Sequence, residues 1–345
     1  MARVSGGGIR VVWRRLVTGV GLTTGLSLVL FYLLHLMPGS PEELLLASNP
    51  DLSGETLERI RTLHGLDRPI HEQYFCWLVG RTHPLCSVWP TDGIVWGDLG
   101  YSTVHHRSVG ALLEERLWRT LALMVPAFGI AIVLAVVLGV YAALHAGRWI
   151  DRLISIFVFA GLSIPVHWFA MMVILVFSVE LGWFPPSGVD DPIAPGGMER
   201  LRHVILPVVV LSLYYTGRWT RHVRGAVREE LEAPYLDGAR MKGASEAIVM
   251  FRHVLPNALL PFVTVVAQSM PVMFSGALVV ERIFAYPGMG LLIFESIDQR
   301  DHLVAIVVLL IYAALTLLAA LVADVLYMML DPRVRVGLES GSSMG

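Results

Sequence analysis

The sequence contains a single lysine, Lys242, although Lys and Arg together number 26. A phosphate-binding P-loop needs spaced glycines followed by Lys and then Ser or Thr, whereas Lys242 lies between Met241 and Gly243. The chain therefore holds no ATP site of this kind. Charged residues are also scarce, at 16% of 345 residues, and the net charge of -2 gives no bulk attraction to nucleic acid.

Enzyme and metal signatures are missing as well. The sequence has no GxSxG elbow and no His/Glu cluster with zinc spacing. The adjacent His105 and His106 are interpreted as solvated loop residues, which is the commoner role of such a pair. The sequence therefore predicts a non-catalytic chain that binds no metal and no cofactor of its own.

Long apolar segments dominate what is present. Hydrophobic residues make up 55% of the chain and the mean hydropathy is +0.64, outside the usual range of soluble domains. A helix that crosses a bilayer needs about 20 mainly apolar residues. Six segments qualify, the fourth of them least clearly: 15–37, 119–145, 152–180, 203–223, 257–280 and 302–330. We predict an all-α polytopic membrane protein with six transmembrane helices.

Prolines lie inside these predicted spans. Kinks of this kind persist in lipid where helices pack or water enters, which is typical of transporters, although proline is also commoner in membrane helices in general. The prolines are Pro126, Pro165, Pro207, Pro261 and Pro271. The acids Asp324 and Glu180 lie near span ends, and no ladder of buried acids crosses the spans, which disfavours an ion-coupled carrier.

The distribution of basic residues predicts orientation. With the N-terminus inside, the inner flanks carry fifteen Arg or Lys and the short outer loops carry four. Basic residues collect on the cytoplasmic side of membrane proteins, so both termini are predicted to be cytoplasmic. The predicted regions are the N-terminus and first span (1–37), an extracytoplasmic loop region (38–118), a five-span core (119–330) and a cytoplasmic tail (331–345).

The sequence has two cysteines, Cys76 and Cys86, and both fall in the predicted outer loop. An oxidising compartment allows a disulfide to persist there. Two free thiols are the alternative. The sequence alone leaves both interpretations open.

A charged, half-apolar segment, "DGARMKGASEAIVMFRHVLPN", lies within the predicted cytoplasmic loop 225–257. We predict a first helix near 228–242 that Gly243 ends in a left-handed turn, then a second helix capped by Ser245. Pro256 marks the end of that second helix or the start of span five. Leu231, Tyr235 and Ala239 share one face, and Ala239 with Gly243 would leave a shallow notch for a protein partner. An amphipathic helix lying on lipid headgroups is the alternative.

The pattern Ala239-x3-Gly243-x9-His253-x-Leu255-Pro256 resembles the EAA signature of permease subunits of bacterial ABC importers. Asp237 and Gly238 replace its first two letters. Further stretches resemble the B-type subunit of the dipeptide/oligopeptide/nickel permease subfamily: "HGLDRPIHEQYFCWL", "GDLGYS", "GLSIPVHWFAMMVILVFSVELGWFPPSG", "VVERIFAYPGMGLLIFESIDQRDHLVAIVVLL" and "DVLYMMLDPRVR". The likeness covers most of residues 10–336. Two departures are "RDHL" at 300–303 in place of "RDYP" and an enlarged, cysteine-bearing outer loop.

The resemblance implies a type I ABC importer permease fold and a division of labour between subunits. ATP and Mg would bind to two separate ATPase subunits, into which the coupling loop would dock. A second permease, homologous to this one, and an extracytoplasmic solute-binding protein would complete the importer in the bacterial inner membrane. The coupling residues implied are Tyr235, Ala239, Lys242, Gly243, Leu255 and Pro256.

A second motif implied by the resemblance is the outer "FAYPGMG" segment at 284–290. Tyr286, Pro287 and Gly288 form a predicted tight turn, in which Pro287 fixes one backbone angle and Gly288 is free to take a positive φ. In the resembling family this region faces the entrance used by the cargo. The implied cargo is a di- or oligopeptide; nickel or another small solute is the alternative.

Overall fold

The computed structural model describes residues 6–36, 58, 62, 67–86, 91–102, 104–189 and 197–330. The predicted tail 331–345 and much of the loop region 38–118 lie outside these ranges. The chain divides into two compact units, one of residues 1–15, 119–291 and 315–345 and the other of residues 16–118 and 292–314.

Helices account for nearly all regular structure in the described ranges. The α-helices are α1 (Gly6–His35), α2 (Ile70–Val79), α3 (Val109–Leu144), α4 (Trp149–Ser163), α5 (Val166–Ile174), α6 (Gly197–Leu231), α7 (Tyr235–Met241), α8 (Glu246–Ile248), α9 (Leu255–Ile283), α10 (Met289–Asp298) and α11 (His302–Leu330). Two π-helical segments, Leu175–Glu180 and Val249–Val254, follow α5 and α8. Short 3₁₀ turns lie at Gly80–Thr82, Pro84–Cys86 and Ile94–Trp96, and a two-residue hairpin pairs β1 (Tyr101–Ser102) with β2 (Arg107–Ser108). The all-α prediction is confirmed.

Four stretches of the described residues are long and apolar enough to cross a membrane. They are Trp13–Leu33, Val109–Leu144, Glu246–Met270 and His302–Ala323. They correspond to predicted spans one, two, five and six. The predicted fourth span, 203–223, lies within α6 and does not reach the same apolarity, because Arg218 and Arg221 occupy its second half. The count of six spans therefore stays a prediction.

The predicted third span, 152–180, is two helices and not one. Trp149–Gly161 and Val166–Glu180 meet at an angle of 101°. The break falls at Pro165, which has no N–H and disfavours helical geometry at the preceding Ile164, whose φ of -85° and ψ of 123° are extended. The sequence placed the kink correctly but not its size. This pair counts as a fifth span only if both arms belong to one crossing.

The core of the larger unit centres on one side of α6. Buried side chains recur there at every fourth position: Leu211, Tyr215, Trp219, Val223 and Val227. A spacing of four keeps them on one helical face. Trp219 packs edge-on against Phe262 of α9, with ring centroids 6.1 Å apart, and its Nε1 donates to Ser269 Oγ at 3.3 Å. This face joins α6 to α9.

Small residues on α3 allow a close approach to α6. Ala127, Ala131 and Ala135 are fully buried and stand four residues apart. Gly139 continues the series, and a Cβ at Gly139 would lie 2.6 Å from Cβ of Val223. Helices that pack in lipid commonly use such small residues because association there depends on van der Waals contact.

The smaller unit has its own aromatic cluster. Phe31 of α1 contacts Tyr74 and Trp77 of α2, at centroid distances of 5.4 and 5.5 Å. Ser27 Oγ and the Tyr74 hydroxyl are hydrogen-bonded at 2.7 Å. These contacts fix α2 against α1.

Candidate functional site

The segment between α6 and α9 differs from its prediction at the start. α6 ends at Leu231, and α7 begins after Pro234, so the single helix predicted near 228–242 is wrong. Pro234 has no N–H to continue the α6 ladder and restricts Ala233 before it. The first helix of the segment is therefore short, Tyr235–Met241.

The bend after α7 follows the sequence. Lys242 ends α7, and Gly243 has a φ of 83°, in the left-handed region that glycine tolerates best. Ser245 precedes α8 and its side chain accepts from Ile248 N at 3.4 Å. The predicted turn and cap are confirmed.

The second helix does not end at Pro256. α8 passes through the π-helical segment directly into α9, where Pro256 occupies the first turn. Proline suits the first turn of a helix, and the π-helical pattern just before it replaces the regular i→i−4 ladder that its ring would interrupt. Of the two interpretations of Pro256, the start of span five is therefore correct.

Packing assigns an inner side to this segment. Leu236, Val249 and Val254 are buried, and Ala239 and Leu255 pack partly against the same core. Gly243 lies just beyond the end of α7, and the notch expected between it and Ala239 stays a prediction. A Cβ at Gly243 would meet nothing within 4 Å, which leaves Gly243 open on the surface.

The outer side of the segment carries large apolar side chains. Met241 is 84% exposed and Phe251 is 73% exposed, and Ile248 and Tyr235 are also exposed. Exposed apolar groups of this kind mark surfaces that contact a protein partner or a membrane.

Polar links hold the segment in shape. The Tyr235 hydroxyl donates to Glu230, and Asn257 Nδ2 donates to the Tyr235 oxygen at 2.9 Å and to Glu230 Oε1 at 3.2 Å. Partial desolvation, together with the bond to Glu230, raises the pKa of Tyr235. This network ties the end of α6 to the start of α7 and α9. Tyr235 was predicted from the sequence, whereas Glu230 and Asn257 were not, because only the fold brings them together.

A second link crosses the Gly243 turn. Arg240 of α7 donates from Nε to Glu246 Oε1 of α8 at 3.0 Å and from Nη1 to Asp237 at 3.3 Å. The bond to Glu246 raises the pKa of Arg240. The pair of Arg240 and Glu246 therefore joins α7 to α8 across the bend.

The turn at 284–288, between α9 and α10, is built differently from its prediction. The positive φ falls at Ala285, at 46°, whereas Gly288 is not in the left-handed region. Tyr286 N donates to Glu281 O at 2.9 Å, and Gly288 N donates to Tyr286 O at 2.7 Å. Pro287 lies between them. The glycine at 288 is needed for space: a Cβ there would lie 2.3 Å from the Glu281 carboxyl.

A buried carboxylate therefore organises this turn. Glu281 is fully buried and accepts from Thr120 Oγ1 at 2.6 Å, from Gly290 N at 2.6 Å and from Leu291 N at 3.3 Å. Met289 N donates to Thr120 Oγ1 at 2.8 Å. The N–H groups belong to the start of α10, where a negative charge is favoured. Sequence reasoning missed Glu281 because it lies one residue beyond the predicted span five, 257–280.

Tyr286 anchors the same turn from the other side. Its side chain is buried and its hydroxyl donates to Arg119 O at 3.2 Å. Burial, with the nearby Glu281 charge, raises the pKa of Tyr286 to about 12, so the hydroxyl stays protonated and keeps this bond.

A disulfide with an S–S distance of 2.06 Å joins Cys76 of α2 to Cys86 in the loop that follows. Both residues are buried. Arg81 donates to Asp92 across the same loop and holds the pKa of that carboxyl below its usual range. The loop is thus linked covalently and by an ion pair.

We expect the full chain to show no free thiol when it is denatured without reductant, and two after reduction. Replacing both cysteines by serine should destabilise the loop by about 2–4 kcal/mol, because the unfolded loop regains freedom. Limited proteolysis of the loop, compared with an otherwise identical wild-type preparation, measures this. Two reactive thiols in unreduced protein would contradict the pairing.

No group of three or more His, Cys, Asp or Glu side chains in the described ranges is placed to hold a metal ion. In the segment 225–257 and around the 284–288 turn, the polar residues described above form hydrogen bonds at helix ends and turns. Their arrangement shapes the surfaces of these two segments.

Known proteins resemble this chain over nearly its whole length. An oligopeptide transport system permease protein, AppB, of Bacillus subtilis is 34% identical over 93% of this chain and 98% of its own. A glutathione transport system permease protein, GsiC, of Escherichia coli K12 is 32% identical over 90% and 93%. In a solved structure of inward-facing conformations of the MetNI methionine ABC transporter, one chain matches with a TM-score of 0.50 and 20% identity, over 64% of this chain and 96% of that chain.

Family models give the same assignment. Residues 8–124 match the N-terminal model of binding-protein-dependent transport system membrane components. Residues 135–336, which include α7, the Gly243 turn and the Glu281 turn, match the binding-protein-dependent transport system inner membrane component. With these matches and relatives above 30% identity, the chain belongs to the permease subunits of binding-protein-dependent ABC importers.

Proposed function

We propose that this chain forms half of the transmembrane pathway of an ATP-driven importer of di- or oligopeptides. The observation that carries the proposal is the segment 225–257: a bent, internally braced surface with exposed Met241 and Phe251, inside the region that matches the permease family. The peptide cargo is supported by the relatives, one named for oligopeptide transport and one for glutathione, itself a small peptide.

In this proposal the segment 225–257 is the site at which ATPase subunits dock. Gly243 sets the bend, Tyr235 and Ala239 hold α7 in place, and Leu255 with Pro256 joins the segment to α9. Lys242 is exposed at the bend, where it suits an acidic partner surface. Two ATPase subunits, with ATP and Mg bound to them, would drive the permease pair between inward-facing and outward-facing states.

The remaining partners follow from the same proposal. A second homologous permease completes the pathway, and a solute-binding protein delivers cargo to the outer face, where Tyr286, Pro287 and Gly288 shape the entrance. Both termini and the coupling segment are cytoplasmic, six spans cross the inner membrane, and the disulfide loop is extracytoplasmic. The fraction of basic residues on the inner flanks supports this orientation.

Reconstitution tests the function directly. The complete importer, in proteoliposomes with its binding protein outside and ATP inside, should accumulate a labelled dipeptide. A matched preparation with ATP replaced by a non-hydrolysable analogue should show uptake near background. An ion-coupled carrier would instead respond to an imposed proton or sodium gradient without ATP, and that result would overturn the proposal.

A further inference from the structure

Where α4 packs against the second half of α6, a small crevice of about 90 Å³ opens at the side of the helices. α4 contributes Ser155 and an apolar wall that includes Val158 and Phe159. α6 contributes Thr220 and two arginines, Arg221 and Arg224. About three waters would fill this volume in the liquid, so it suits a small polar group such as a phosphate and not a whole lipid or peptide.

One residue that lines the crevice has a polar atom without a partner. Thr220 is 1% exposed, and its Oγ1 makes no hydrogen bond within the described part of the chain. A buried hydroxyl left unpaired is unfavourable. Because this oxygen is also closed off from solvent, the polar residues that offer a ligand direct contact in the crevice are Ser155 and Arg221.

The two arginines differ in their charge balance. Arg224 donates from Nε and Nη2 to the buried Asp151, at 2.7 and 2.8 Å, and Gly147 N also donates to Asp151 at 2.9 Å. Arg224 is therefore neutralised. Arg221 is exposed and has no carboxylate within ion-pairing distance among the residues that the structure describes. The crevice thus holds one uncompensated positive charge.

The surroundings place the crevice near a membrane surface. Trp149, exposed at the start of α4, is of the type that marks the headgroup level of a bilayer. Ser155 lies six residues further along the helix, about 9 Å along its axis. Next to Ser155 on α4, Ile156 and Phe159 expose apolar side chains. A cationic polar pocket is therefore continuous with an apolar surface.

We propose that this crevice binds the phosphate of an anionic phospholipid, with an acyl chain lying along the exposed face of α4. The phosphate pairs with Arg221 and accepts from the Ser155 hydroxyl. Basic pockets between transmembrane helices bind anionic headgroups by this chemistry. The lipid contacts both α4 and α6, and α4 is the first of the two arms of the predicted third span.

Native mass spectrometry of the purified importer complex, incubated with phosphatidylglycerol or phosphatidylethanolamine, tests the proposal. Arg221→Gln should lower the fraction of complex that retains phosphatidylglycerol about five-fold at fixed lipid concentration, because one basic group near a membrane surface contributes about 1 kcal/mol. The matched control is Arg218→Gln, which removes the same charge from an exposed site on α6 that does not line the crevice. It should bind like wild type.

A second pair of variants keeps the test independent of charge. Ser155→Phe fills the crevice and should lower phosphatidylglycerol retention as strongly as Arg221→Gln, whereas Thr220→Val should lower it less.

Equal losses for Arg221→Gln and Arg218→Gln would overturn the site in favour of general surface attraction. Displacement by millimolar glycerol phosphate would assign it to a soluble anion. Cross-linking of Ser155→Cys to the second permease would assign the crevice to a subunit contact. All three outcomes are read without transport, so a failure of the lipid site is distinguishable from a failure of the proposed function on which the importer complex rests.

Discussion

Gly243→Val is expected to lower both peptide uptake and retention of the ATPase subunits by about ten- to thirty-fold, with normal insertion into the membrane. Gly243 has a φ of 83°, and a left-handed backbone costs an ordinary residue about 1–2 kcal/mol, more for a β-branched one. The variant would therefore favour other turn geometries between α7 and α8. The exposed side chains of Met241 and Phe251, which lie on opposite sides of this turn, would then no longer be presented together.

The measurement is co-purification of ATPase subunits with the tagged permease, combined with uptake in proteoliposomes. The matched control is Gly243→Asn, because asparagine tolerates the left-handed region better than other residues with a side chain. A Cβ at this position meets nothing within 4 Å, so steric overlap within the chain does not confuse the comparison. If Gly243→Val kept wild-type uptake and wild-type association with the ATPase subunits, the bend at Gly243 would have no role in docking.

Gly288→Ala is expected to destabilise the protein by about 1–3 kcal/mol or more, as inserting atoms into a packed site does. The added methyl carbon would lie 2.3 Å from the Glu281 carboxyl, which is buried and already bonded to Thr120 and to the start of α10. The carboxylate would have to move away from its donors. We expect a lower thermal midpoint of the purified protein in detergent and reduced uptake.

A double variant tests whether overlap with Glu281 causes the loss of stability in Gly288→Ala. Glu281→Ala alone should also destabilise the turn, because the donors at Gly290, Leu291 and Thr120 lose their acceptor. Adding Gly288→Ala to Glu281→Ala should then cost little more, since the atoms that the methyl group meets are gone. Gly129→Ala in α3 is the matched control: nothing lies within 4 Å of its Cβ, and alanine favours a helix. Additive losses in the double variant would show that the two residues act separately.

Local signals in the sequence were sufficient where the structure depends on neighbouring residues. The Gly243 turn, the Ser245 cap and the position of the Pro165 break each follow from one or two side chains and their effect on nearby backbone angles. Pro234 is a signal of the same kind, and the predicted helix 228–242 was wrong because its effect was overlooked. Hydropathy predicted four of the spans for a similar reason. It sums the apolar character of neighbouring residues and does not depend on contacts with distant ones.

Features that depend on distant residues were not predictable in this way. Thr120 and Glu281 are 161 positions apart, and Glu230 and Asn257 are 27 apart. Gly288 illustrates the difference: its turn motif suggested a conformational role, whereas the space required by Glu281 explains it. The angle of 101° within the predicted third span likewise depends on what the two arms pack against, which no single proline specifies.

The uninterrupted passage from α8 through the π-helical segment into α9 has a mechanical consequence. The helix that starts beside the Gly243 bend ends at Ile283, just after the carboxylate that holds the 284–288 turn. Its 38 residues span about 57 Å if the rise is that of an α-helix. Because no loop intervenes, a push at Ser245 acts on a rod whose far end bears Glu281, and the π-helical turns are where such a rod yields first. A force applied by a docked partner at the Gly243 bend would then move the 284–288 turn at the opposite end of the same helix.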